Sequence, residues 1–236
     1  MSKAKKISAG EAAALIKDGM TVMIGGFMAN GTPEKIVDAL VASGAKDLTV
    51  ICNDAGLPGK GTEKLLQTHQ IKKLIASHVG LTPECGRQYS AGELDLELVP
   101  QGTLAERIRC GGAGLGGILT PTGIGTIVAE GKRVIEVGGR EYLLETPLHA
   151  DIALLLGHIV DDDGNIRYRG STRNFNPMMA TAADVVIVEA ENNVRSGEIG
   201  PEYVETPALF VDYIVCGGDE YCRIKRNLLQ QELLKS

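Results

Sequence analysis

Apolar residues fall along this chain in short runs separated by amphipathic stretches. Met20–Ile24, Leu48–Cys52, Lys73–Ser77, Leu94–Val99, Ile152–Leu156 and Val185–Val188 are too short for stable helices and are rich in aliphatic and β-branched residues, which predicts strands. Between them, Ser8 with Glu11 matches a capping box opening a helix through Ala12–Ile16, with Gly19 at its carboxyl end. Glu34–Val41 and Thr103–Cys110 have apolar residues at helical spacing, and Thr62–Gln67 reads as a helix start. Val134–Val137, Gly138-Gly139 and Glu141–Glu145 predict a β-hairpin laid against the main sheet. The expectation is an α/β fold: an open, mostly parallel sheet made mixed by that hairpin, with helices on both faces.

Composition narrows the class. The chain has 236 residues, enough for one α/β domain over 1–236, with 44% hydrophobic residues, no Trp and 30 glycines. A formal charge of −6 argues against nucleic acid as a partner, so a polyanionic ligand has to be held locally. Cys52, Cys85, Cys110, Cys216 and Cys222 are odd in number and show no CxxC pair, so neither a disulfide framework nor a zinc site is indicated. No apolar run is long enough to cross a membrane and the N-terminus lacks a signal-peptide pattern, which predicts a cytoplasmic protein. Asp161-Asp162-Asp163-Gly164-Asn165 lacks the spacing of a calcium loop and reads as a turn, and no internal repeat stands out.

The candidate chemistry begins at Asp18–Pro33. The strand there ends at Gly25 and Gly26, whose lack of Cβ lets a bulky ligand approach the backbone, and Gly31 repeats that freedom. Thr32 is placed to cap the next helix and Pro33 to occupy its first position, leaving free N–H groups as a seat for a phosphate or an oxyanion. The expected ligand loop is Gly25, Gly26, Phe27, Met28, Ala29, Asn30 and Gly31. A second glycine-dense stretch, Val99–Thr126, reads as a substrate-lining loop. Its Gly112-x-Gly114-x-x-Gly117 follows a helical pattern where a dinucleotide fingerprint needs a strand.

Two runs carry a family resemblance. Asp18-Gly19, three apolar residues, Gly25-Gly26-Phe27, Gly31 and Pro33 resemble the signature of the α subunit of family I CoA-transferases, the acetate, butyrate and acetoacetate type. Pro100–Arg109 with Gly111–Gly114, then Thr120–Thr126, Phe175-Asn176-Pro177 and Ala182–Glu191, are similar to the same family, so the resemblance covers most of the chain. It implies a CoA-transferase-like three-layer domain with coenzyme A or acyl-CoA as substrate and no permanently bound cofactor. It further implies a glutamyl-CoA thioester formed on a β subunit within a Ser-Glu-Asn-Gly motif, and an assembly of α2β2 type. At the position matching the family's oxyanion-stabilising glutamine stands Gln101.

No Ser-Glu-Asn-Gly motif stands in this chain. Glu191-Asn192 is nearest to it, but Ala190 and Asn193 are the wrong neighbours, and Glu189 lies two residues away on the same strand. His69, His78, His149 and His158 lack metal-ligand spacing and a serine elbow. Arg107, Arg109 and Arg173 are available for coenzyme phosphates or a carboxylate, or for pairing within the fold. Two rival readings remain at this stage. One is a sugar-phosphate isomerase or acyl-CoA hydrolase using Asp54, Glu189 or Glu191 as acid and base; the other is an acyl-CoA-binding module without turnover.

Overall fold

The structure is a computed structural model that describes residues 4–216; Cys222 lies outside them. The first half of the chain runs β1 (Lys5–Ile7), α1 (Ala9–Leu15), β2 (Thr21–Ile24), α2 (Glu34–Ser43), β3 (Leu48–Cys52), α3 (Glu63–Gln67), β4 (Ile71–Ala76), α4 (Pro83–Ser90), β5 (Asp95–Leu98) and α5 (Gln101–Gly112). The expected capping box is present at α1: the Glu11 N–H donates to Ser8 Oγ at 3.1 Å and the Ser8 N–H donates to Glu11 Oε2 at 2.8 Å. Helix α4 was not anticipated, because its Glu84, Arg87 and Gln88 hide any apolar stripe; Pro83 opens it and Cys85 anchors it in the core. The remainder comprises β6 (Ile118–Thr120), β7 (Val134–Val137), β8 (Arg140–Glu145), β9 (Ala150–Asp161), β10 (Ile166–Arg167), α6 (Asn176–Met179), β11 (Ala183–Val194) and β12 (Tyr213–Cys216).

The main sheet has the order β1-β12-β11-β9-β2-β3-β4-β5, with these strands parallel and β10 antiparallel on β9. Side chains alternate across it. Val22 and Ile24 pack with Ile36, Val37 and Leu40 of α2 on one face, while Met23 packs on the other with the layer containing Leu104, Ile108 and Met179 of α5 and α6. Helices therefore cover both faces, as expected. Strands β9 and β11 are twelve residues each, so they project beyond the carboxyl end of β2, which stops at Ile24 opposite Leu154. From β2 the order runs outward through β3 to β5 on one side and through β9 to β12 on the other, making the β2–β9 boundary the topological switch point.

The hairpin corrects one expectation. β7 and β8 do not join the main sheet; with β6 they form a separate three-stranded antiparallel sheet, and the mixed character of the main sheet comes from β10. The inward face of β8 carries Leu143 and the buried Glu145 carboxylate, which Lys132 engages at 2.6 Å and which lies 3.9 Å from Arg107. A strand with a buried charge docks through ion pairs onto α5 rather than through aliphatic pairing. The aspartate cluster is the expected turn: Asp161 Oδ1 accepts the N–H groups of Asp163, Gly164 and Asn165 at 3.0, 3.0 and 2.8 Å. Among the described residues, no helix is long and apolar enough to cross a membrane.

Candidate active site at the switch point

The glycine loop sits at the carboxyl end of β2, on the switch point, and is clamped from a segment almost 150 positions away. The Gly26 N–H donates to Asn174 Oδ1 at 3.2 Å, and Asn174 Nδ2 donates to the Asn30 carbonyl at 2.9 Å. Asn176, fully buried, accepts the Leu156 N–H at 3.2 Å and donates to the carbonyls of Gly31 and Thr172 at 3.1 and 2.9 Å. A Cβ at Gly25 would land on Asn176 Oδ1, and one at Gly26, whose φ is +127°, would land on Thr32 Oγ1. Here glycine is needed because other parts of the protein press against the loop.

Within the loop, Phe27 and Asn30 exchange two backbone hydrogen bonds of 2.9 Å around a tight turn. Met28 and Ala29 at its tip have φ of +48° and +62°, left-handed values that cost a non-glycine residue about 1 kcal/mol or more. A second hairpin with the same reciprocal bridge but a different turn follows β3: Leu57 and Lys60 exchange backbone bonds of 3.3 and 2.8 Å around Pro58-Gly59, of which only Gly59 has a positive φ, +75°. The two are laced together. Buried Asp54 accepts the Met28 N–H of the first and the Gly56 N–H of the second, each at 2.8 Å, while Glu34 accepts the Gly61 N–H at 2.9 Å. Between the tips lies a groove of about 590 Å³ lined by Met28, Ala29, Asn30, Leu57, Gly59 and Lys60, together with Glu34 and Lys64.

The start of α2 differs from the expectation in two ways. Pro33 is the residue just before the helix and Thr32 makes no capping bond, its hydroxyl instead lying against Gly26. The helix's free N–H groups are also not an open anion seat. Glu189 Oε2 accepts those of Lys35 and Ile36 at 2.9 and 3.2 Å, so a carboxylate of the chain itself occupies the positive end of the helix. Burial pushes the Glu189 carboxyl above its ordinary value of 4.5, with the two N–H bonds pulling partly the other way. Glu191, two residues on, is half exposed and held 2.6 Å from Nδ1 of buried His158.

Gln101 is the first residue of α5 and is exposed. It lies at the carboxyl end of β5, three strand positions from β2, so about 14 Å of sheet separates its strand from the glycine loop's. The two candidate elements lie along the same edge of the sheet. Beside Gln101, a cavity of about 490 Å³ is lined by Gly102, Thr103, Glu106, Ile118, Leu119, Thr120 and Thr122, drawn from the stretch expected to line a substrate. The Thr103 hydroxyl is buried without a hydrogen-bond partner among the described residues.

The other candidates have internal employment. Buried Arg107 donates to Glu97 at 2.7 Å and to the Thr146 carbonyl at 2.8 Å; Arg109 pairs with Glu106 at 2.8 Å and Arg173 with Glu205 at 3.0 Å. His69 lies 3.6 Å from Glu93 and His149 lies 3.9 Å from Asp184, both exposed. Gly112-x-Gly114-x-x-Gly117 begins within α5, so it follows a helix. What the sequence reading missed is the second hairpin and Asn174. The signal for the hairpin was present: Gly56-Leu57-x-x-Lys60-Gly61-Thr62 repeats the spacing of Gly26-Phe27-x-x-Asn30-Gly31-Thr32.

A mostly parallel α/β sheet carrying paired glycine hairpins at its switch point defines a protein that holds a small molecule at the carboxyl edge of the sheet. Comparison with known proteins gives the family. Residues 6–217 match the Coenzyme A transferase family, and the chain belongs to it. The chain is 49% identical over 213 residues to the acetate CoA-transferase subunit alpha of Escherichia coli K12, covering 90% of this chain and 97% of that one. It is 54% identical over 199 residues to the acetoacetyl-CoA:acetate/butyrate CoA transferase alpha subunit of Clostridium acetobutylicum, covering 84% and 91%. In fold it superposes on an acyl-CoA transferase of E. coli O157:H7 in a thioester complex with CoA. The TM-score is 0.81 at 20% identity, over 91% of this chain and half of that one.

Proposed function

We propose that this chain, as one domain over residues 1–236, is the α subunit of a cytoplasmic CoA-transferase. It would move coenzyme A between a short-chain acyl-CoA and a carboxylic acid of the acetate, butyrate or acetoacetate class, within an α2β2 assembly. The observation that carries the division of labour is the state of its glutamates. Glu189 is committed to the N-terminus of α2 and Glu191 to His158, so neither stands free beside the glycine loop. The nucleophile is therefore assigned to the partner. Its glutamate attacks the thioester carbonyl and expels CoA thiolate to give a mixed anhydride; the thiolate then attacks the glutamyl carbonyl and releases the acid. The acceptor acid runs the two steps in reverse.

In this reading the loop from Gly25 to Gly31, through Phe27, Met28, Ala29 and Asn30, contacts the coenzyme, and the Gln101 amide donates to the oxyanion formed at the thioester carbonyl. The isomerase reading needs a free acid–base carboxylate, and Asp54 is taken up by the N–H donors of Met28, Gly56 and Asn53. The test is to incubate the assembled subunits with an acyl-CoA and reduce with borohydride, which traps a glutamyl thioester. Label is expected on the partner only, and Gln101→Ala is expected to lower kcat roughly ten- to a thousandfold. Label at Glu191, or transfer by the α chain alone, refutes the reading.

A further inference from the structure

The hairpins that follow β2 and β3 share one spacing of glycines and threonine. Gly26–Thr32 and Gly56–Thr62 align at an offset of thirty residues with Gly, Gly and Thr shared at 26/56, 31/61 and 32/62, each with a reciprocal backbone pair and a buried threonine at its end. The residues between those shared positions differ, beginning with Phe27 against Leu57. Met28-Ala29 is replaced by Pro58-Gly59, and Asn30 by Lys60, so one hairpin presents a neutral polar side chain and the other a cation to the same groove.

Lys60 differs from several basic residues of the fold, whose charges are already paired. Its neighbour Lys64 is held by Glu34 and Asp38, each at 2.6 Å, and Arg107, Arg109 and Arg173 are paired as described above. Lys60 is exposed on the groove wall and makes no ion pair with any described residue. Glu34, the acid of the groove, is already engaged by Lys64 and the Gly61 N–H. On a chain of net charge −6, a cation left free over a groove bounded by Met28 and Leu57 is a local seat for an anion attached to an apolar arm. A short-chain acid would leave most of 590 Å³ empty, whereas clefts of this size suit a coenzyme-sized ligand.

Resting on the transferase reading, we propose that the second hairpin is a coenzyme-binding element in its own right. Lys60 contacts a phosphate group of acyl-CoA, and Met28 and Leu57 flank the methyl and methylene groups of the pantetheine arm that leads from it toward the thioester. A lysine suits this role because a phosphate accepts a compact point charge from many directions.

The experiment compares wild type, Lys60→Met and Lys60→Arg, each assembled with the partner subunit. Each is titrated calorimetrically with CoA and with pantetheine, which lacks the phosphates, and assayed for transfer. Lys60→Met is expected to weaken CoA binding roughly three- to tenfold and to raise the KM for acyl-CoA by a similar factor. Pantetheine binding and the KM for the acid should not change, and Lys60→Arg should restore CoA affinity. Unchanged CoA binding in Lys60→Met overturns the proposal. So does an equal loss for pantetheine, or a rise confined to the KM for the acid, which would make the ligand group a carboxylate. A wild-type assembly that binds CoA through Lys60 yet transfers nothing refutes the transferase reading and keeps the site. One that transfers CoA with Lys60→Met unaffected does the reverse, and one that binds no CoA refutes both.

Discussion

The contact between Gly25 and Asn176 can be measured as a coupling. Asn176 serves three backbone groups, the Leu156 N–H and the carbonyls of Gly31 and Thr172, from a fully buried position. Removing its amide leaves those groups unpaired, and partial rescue by entering water puts the cost of Asn176→Ala at about 3–5 kcal/mol. Gly25 has no positive φ, so Gly25→Ala carries no backbone strain; its whole cost comes from the new methyl meeting Asn176 Oδ1. The amide must then swing away from the same three groups, for a similar loss of about 3–5 kcal/mol. In the double variant the amide is already gone and the methyl fills part of its space. The two costs should therefore fail to add by about 2–3 kcal/mol or more. Urea unfolding of the four proteins at 25 °C reads this directly, with total stability of about 5–15 kcal/mol leaving room for the variants to fold. Additivity within about 0.5 kcal/mol would show that the loop is not held through this contact.

Two further outcomes are expected. Because burial raises the Glu189 pKa, the folded state binds a proton more tightly than the unfolded state. The contribution of this group to stability is then fullest below about pH 4.5 and is lost as pH rises through the raised value. Glu189→Gln, which never ionises, should gain on wild type between pH 4.5 and 7.5 when urea midpoints are compared, and a gap that is constant or shrinks would refute the sign. Ala29→Gly should relieve the left-handed strain at the hairpin tip and stabilise by about 0.5–1 kcal/mol after the glycine's extra unfolded-state entropy is subtracted. That is a rise in Tm of about 1–4 °C by calorimetry, and a fall would place the strain elsewhere.

Much of the main sheet was legible in the sequence because its strands are short aliphatic runs with few competing patterns, as at Val22-Met23-Ile24 and Val50-Ile51-Cys52. The capping box at Ser8 and Glu11 was legible for the same local reason. The glycine loop was legible as a place of close approach, but not what approaches it, since Asn174 and Asn176 lie 148 and 151 residues beyond Gly26 and Gly25, and local patterns carry no such distance. The start of α2 was misread for a related cause. Thr32 and Pro33 have the composition of a helix start, yet the N–H groups there were claimed by Glu189, a residue from across the sheet. The hairpin of β7 and β8 was correctly seen as a hairpin; the strands it would avoid could be known only from the buried charge at Glu145.

The position of β9 has a consequence for how the chain acquires its shape. It lies between β2 and β11, yet it is made only after residue 149, when β2 to β5 have already been synthesised. A growing chain therefore carries β2 as an unpaired edge, with the apolar run Val22-Met23-Ile24 exposed along one side, until the centre of its own sheet emerges. The clamp residues Asn174 and Asn176 come later still. The clamped geometry of the glycine loop is thus withheld until residue 176 has left the ribosome, and a chain interrupted before then is sticky and carries the loop unclamped.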